Sequence, residues 1–116
     1  MNSSFNNTKP IYLQIIEKIE IEIISGARSP GERIESVREL AAKLKVNPNT
    51  IQRALSELET KKLVETERTN GRFVTKNEAK LKKLKEKYFK EKTKEYILEM
   101  EKIGIKITEI RREHEN

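Results

Sequence analysis

Cysteine, aspartate and tryptophan are absent from this 116-residue chain, and histidine occurs once, as His114 near the C-terminus. Without cysteine there are neither disulfides nor thiolate metal sites. Glutamate plus one terminal histidine is a poor ligand supply for a metal, so His114 reads as a solvated tail residue. The four glycines are scattered, which leaves no glycine-rich phosphate loop. This inventory argues against an enzyme and implies no cofactor. No apolar run approaches the roughly 18 residues a membrane span needs. The N-terminus lacks a signal-peptide pattern, so the expectation is a cytoplasmic protein without a membrane partner.

What the chain does have is charge. Charged residues make up 38% and hydrophobic residues 34%, which describes one modest domain with an extension. The net charge of +6 and pI near 9.5 favour a polyanionic partner. The bias is diffuse: 12 Lys/Arg face 10 Glu through residue 75, and 13 face 9 beyond it. Bulk charge alone therefore supports nucleic acid only weakly.

The most informative stretch runs from Val46 to Leu58. Asn47 suits an N-cap, and Pro48 suits the first helical position, where its missing N–H is harmless. Ile51, Ala54, Leu55 and Leu58 recur at the offsets of one helical face. At about 100° per residue, Asn49, Arg53, Ser56 and Thr60 fall opposite, with Gln52 and Thr50 on the flanks. A helix anchored on one side and offering hydrogen-bond donors on the other suits the DNA major groove. A merely solvated polar face is the competing reading.

The neighbouring segments decide between these. Residues 1–9 are polar and read as a flexible arm. Pro10 opens a helix burying Tyr12, Ile15, Ile16, Ile19 and Ile23, which ends at Gly26. Ser29-Pro30-Gly31 is a turn, and Arg33-Ile34 suffices only for a minimal strand. Ser36-Val37-Arg38-Glu39 fits a capping box that leads a short helix burying Val37, Leu40, Ala41 and Leu44. Two short helices joined tightly through Asn47 form a helix-turn-helix pattern. Leu63 to Glu67 and Phe73-Val74 are strand-like, and Asn70-Gly71 between them signals a hairpin. A hairpin after a helix-turn-helix makes a winged helix, with Arg68 and Arg72 flanking its tip. There they straddle the sugar–phosphate backbone or enter a narrow minor groove; the plain alternative is solvated hairpin charge.

Residues 77–103 contain neither proline nor glycine and predict one long helix. Phe89, Thr93, Tyr96, Met100 and Ile103 repeat in a heptad-like seam, with Leu81, Leu84 and Tyr88 as a neighbouring stripe. Gly104 ends it, and residues 105–113 form a short return helix. The seam favours self-association; folding back onto the winged domain is the alternative. The expected architecture is thus mainly α, an α+β winged helix-turn-helix over residues 1–75. A helical dimerisation tail, one long helix plus a short one, follows over 76–116.

Several segments, in order and at consistent spacing over about residues 10–75, resemble the GntR family of bacterial transcription regulators and its short YtrA-like branch. They are Pro10-Ile11-Tyr12 with Gln14-Ile15, then Pro30-Gly31, and Ser36 to Ala41. Val46 to Ile51 with Arg53-Ala54, Leu58-Glu59, and Gly71 with Phe73-Val74 complete the set. The resemblance implies a homodimer that binds operator DNA as a repressor, with an affinity tuned by an unidentified small-molecule effector. By position it implies a DNA contact from Arg38. It places Asn49, Thr50, Gln52 and Arg53 at the reading helix, and Gly71 with Arg72 at the wing tip. Beside them, the residues themselves make Ser36 a phosphate contact and Asn47 and Asn70 further DNA-contact candidates. The tail resembles the branch only in length and helical character; its seam residues Leu81, Leu84, Tyr88, Phe89, Tyr96, Met100 and Ile103 would join the subunits. This chain departs from the pattern at Glu35, Lys62 and Thr69. Glu35 adds negative charge near the phosphate path, and Lys62 stands where a glycine usually ends the reading helix. A winged helix used for protein interaction, with the long helix as a scaffold, is the second class of function.

Overall fold

The computed structural model describes residues 5–115. The beginning of the expected arm, residues 1–4, and the His114 side chain lie outside the described residues. The chain divides into two compact units, Met1–Lys82 and Lys83–Asn116.

Helix α1 (Ile11–Ile24) starts at Pro10, whose carbonyl accepts from the Leu13 and Gln14 amides, and ends at Ser25 before Gly26 at φ +88°. Ile15, Ile16, Ile19 and Ile23 are buried as the periodicity requires. Tyr12, expected among them, is only half-buried; its ring sits at the edge of the core with the Arg53 guanidinium stacked on it. Two polar residues share the buried side. The Gln14 amide bonds Asn6 through both its backbone groups and donates to the Lys9 carbonyl at 2.8 Å. Residues 6–9 are thereby tied to α1, where a flexible arm was expected. Glu20, 2% exposed, accepts from Lys61 Nζ at 2.9 Å.

The turn at Pro30 closes with the Glu32 amide on the Ser29 carbonyl, and Gly31 takes φ +82°. Helix α2 (Val37–Leu44) has the full capping box between Ser36 and Glu39. It buries Leu40, Ala41 and Leu44, but Val37, in the first turn, stays half-buried. Helix α3 (Pro48–Thr60) is capped by Asn47, whose Oδ1 accepts from the Asn49 amide at 2.7 Å. Its stripe of Ile51, Ala54, Leu55 and Leu58 is fully buried, packed on α1, on α2 and on the strand that follows.

Lys62, after α3, takes the left-handed conformation at φ 62° without glycine's freedom. That geometry costs an L-residue about 1–2 kcal/mol. Glycine gives back about 0.5–1 kcal/mol through its larger unfolded-state entropy. Lys62→Gly is therefore expected to raise stability by about 0.5–1 kcal/mol, read as a higher urea midpoint at unchanged slope. A midpoint that stays or falls would show that the left-handed turn carries no strain.

Strand β1 (Val64–Glu67) pairs antiparallel with β2 (Gly71–Val74), in the register Val64↔Val74 to Glu67↔Gly71. The connection is a three-residue loop, 68–70, at the place the Asn70-Gly71 pair signals. Of that pair only Gly71 takes a positive φ, +102°, and it serves as the first residue of β2. Arg33 bridges Phe73, and the Ile34 amide donates to the Arg72 carbonyl, so the minimal strand at 33–34 lines the open edge of the hairpin.

Helix α4 (Glu78–Lys102) begins under Asn77, whose Oδ1 accepts from the Lys80 amide. Thr75, fully buried, accepts from the Asn77 amide and donates to Glu65 Oε2, so α4 starts bonded to the base of the wing. Leu81 is half-buried. In the second unit, Leu84 and Tyr88 are buried, whereas Phe89 is 71% exposed and Tyr96 and Ile103 are also open. Gly104 at φ +84° ends α4, and α5 (Ile107–Glu115) follows.

Candidate nucleic-acid interface

With its apolar stripe buried, α3 turns Asn49, Gln52, Arg53, Ser56 and Thr60 to solvent, and Thr50 is half-buried. The exposed Asn47 uses its side-chain oxygen on the cap, which fixes the helix start. Gln52 donates to Ser56 Oγ at 3.2 Å, an exposed bond that water or a base edge can replace. Arg53 lies 3.7 Å from the centre of the Tyr12 ring. Stacking occupies the face of the guanidinium and leaves its in-plane N–H groups free to donate. The side chain is therefore aimed without being consumed.

At the start of α2, Ser36 Oγ accepts from the Glu39 amide at 3.1 Å, and Glu39 answers on the Ser36 amide at 2.8 Å. Arg38 is exposed beside this cap. Glu35, the acidic departure noted above, is engaged by cations. It accepts from Arg28 Nη1 at 2.7 Å and from Lys43 Nζ at 3.0 Å, while Arg28, itself buried, also reaches Glu22 at 2.8 Å. Partial burial alone would raise the Glu35 carboxyl. Hydrogen bonds from Arg28, from its own backbone N–H and from Lys43 outweigh this and hold it at about 2, below the ordinary 4.5. A depressed carboxyl contributes stability that is complete above its unfolded value and is lost as pH falls through its folded value. The stability gap between wild type and Glu35→Gln should thus be full above pH 4.5 and close toward pH 2. Thermal melts across that range read it; a gap that does not change with pH would exclude the ion pairs as its source.

The wing sorts its residues differently from the sequence. Arg68 is exposed in the loop, and the Asn70 amide folds back onto Glu67 Oε1 at 3.3 Å. Arg72 is drawn away from the tip: its Nε stands 3.4 Å from Glu59 Oε2, buried and without a hydrogen bond. In its place, Arg33 Nε donates to the Asn70 carbonyl at 3.3 Å, and its guanidinium lies across Gly71. Nothing in the hydrophobic pattern marks Arg33. Pairing the minimal strand at 33–34 with Phe73 would have placed it there. Among the described residues, no group of His, Cys, Asp or Glu is arranged to hold a metal ion, and no helix is long and apolar enough to cross a membrane.

A buried-backed helix with exposed donors, a short helix before it and a hairpin after it define a winged helix-turn-helix DNA-binding domain. The chain belongs to the GntR family: residues 11–74 match "Bacterial regulatory proteins, gntR family". It is 33% identical over 105 residues to the HTH-type transcriptional repressor YtrA of Bacillus subtilis, covering 90% of this chain and 81% of that one. A GntR family transcriptional regulator from Listeria monocytogenes superposes with a TM-score of 0.85 at 40% identity, covering 96% and 97% of the two chains. The DNA-binding domain of AraR in complex with operator ORX1 matches 62% of this chain and 93% of its own, with a TM-score of 0.58 at 27% identity.

Proposed function

We propose that this regulator is a repressor that binds an inverted-repeat operator as a homodimer. The observation that carries the reading is the α3 surface: Asn49, Gln52 and Arg53 stand exposed on a helix whose other side is locked in the core. Ser36 and Arg38 fix the register on phosphates, the front of α3 meets base edges, and the wing tip adds backbone contact. The YtrA repressor and the operator-bound AraR domain are the relatives that support it. The exposed Phe89, Tyr96 and Ile103 supply apolar surface for a second copy. Two-fold symmetry then sets half-sites about one or more helical turns (~10–10.5 bp) apart.

Selection of duplexes from a random library, followed by gel shifts on DNA upstream of its own gene, tests this. Recovery of an inverted repeat supports the reading. Equal binding to all sequences would favour the second class, a winged helix serving protein contacts.

A further inference from the structure

We propose that Arg33 is the wing's contact to the DNA sugar–phosphate backbone, in the role that sequence position gives to Arg72; this deepens the DNA-binding reading above and rests on it. Arg33 is carried by a segment whose backbone is pinned along β2. The Ile34 amide donates to the Arg72 carbonyl at 2.8 Å, and the Val74 amide to the Glu32 carbonyl at 2.9 Å. Its exposed side chain runs over the wing tip and donates to the Asn70 carbonyl. A Cβ on Gly71 would come within 3.3 Å of Arg33 Nε, so the glycine leaves room for the guanidinium to lie flat on the hairpin. Nε gives one bond to a neutral carbonyl, and the remaining N–H groups of the fork are those that match a phosphate.

Arg33 also stands near the other proposed backbone contacts. The Glu39 carboxyl is held below its ordinary range first by the Ser36 hydrogen bonds and in smaller part by the Arg33 charge. The Arg33 charge is thus felt at the start of α2, which bears Ser36 and Arg38. Arg72 has the opposite placement. Its Nε is buried facing Glu59, and moving it to DNA would leave that carboxylate without its cation.

The test is the salt dependence of binding to a random-sequence duplex, read by fluorescence anisotropy. Each phosphate contact contributes about 0.9 to the slope of log K against log salt. Arg33→Ala should flatten the slope by about one and weaken binding about equally on all sequences. Arg72→Ala should leave the slope at the wild-type value. Arg33→Gln keeps a donor for the Asn70 carbonyl but no charge. It should behave as Arg33→Ala does; a wild-type slope for Arg33→Gln would reduce Arg33 to a structural pin and overturn the proposal. So would a slope lowered by Arg72→Ala and not by Arg33→Ala. If the wild type binds every duplex equally, operator recognition fails while the Arg33 result still stands or falls by its slope. If the wild type binds no duplex, both readings are overturned.

Discussion

Leu55→Ala is expected to lower the unfolding free energy by about 2–5 kcal/mol. Leu55 is fully buried in the middle of α3, on the face packed against α1 and α2. Truncation removes methyl and methylene groups from a close-packed interior and leaves a cavity that the helices, held by caps at both ends of the turn, cannot collapse to fill. Small domains have only about 5–15 kcal/mol in total, so this is a large fraction. At about 4–8 °C per kcal/mol for a domain of this size, the melting temperature should drop by at least several degrees. Thermal melts followed by far-UV circular dichroism measure it. A shift under a degree or two would mean that the α3 core stripe is not what holds the domain.

Arg53→Ala should weaken binding to the selected operator by roughly 1–3 kcal/mol, the discrimination a bidentate contact to guanine provides. The loss should fall on specific binding and leave affinity for random duplex nearly unchanged, which separates base reading from phosphate attraction. Tyr12 sharpens the expectation. Its ring holds the guanidinium at 3.7 Å, so Tyr12→Ala frees a long, flexible side chain whose ordering then opposes binding. Tyr12→Ala should therefore lose part of the same affinity, and Tyr12→Phe, which keeps the ring, little of it. Equal losses of specific and random-duplex affinity in Arg53→Ala would move Arg53 from base reading to backbone contact.

Much of the fold was legible because its signals are local. The capping box at Ser36, the Asn47-Pro48 start of α3 and its Ile51–Ala54–Leu55–Leu58 stripe involve residues a few positions apart. The exposed donor face of α3 followed from the same spacing. What the sequence hid depends on partners far along the chain. Lys61 satisfies the buried Glu20 across 41 residues, and Arg33 meets Asn70 across 37. Gln14 and Thr75 are buried because turns deliver backbone groups to them, which no hydrophobic period encodes. The Asn70-Gly71 pair marked the hairpin, and Gly71 uses its positive φ to enter β2. Tyr12 matched the apolar period of α1, yet an arginine from α3 took its outer face.

The Thr75 hydroxyl, with its donor on Glu65 and its acceptor on Asn77, joins β1 to the residue that caps α4. The Thr75 amide adds a bond to the Leu63 carbonyl, so this corner is held through backbone as well as side chain. Replacing Thr75 by valine would remove the two hydroxyl bonds and hand the Glu65 carboxylate and the Asn77 amide over to water.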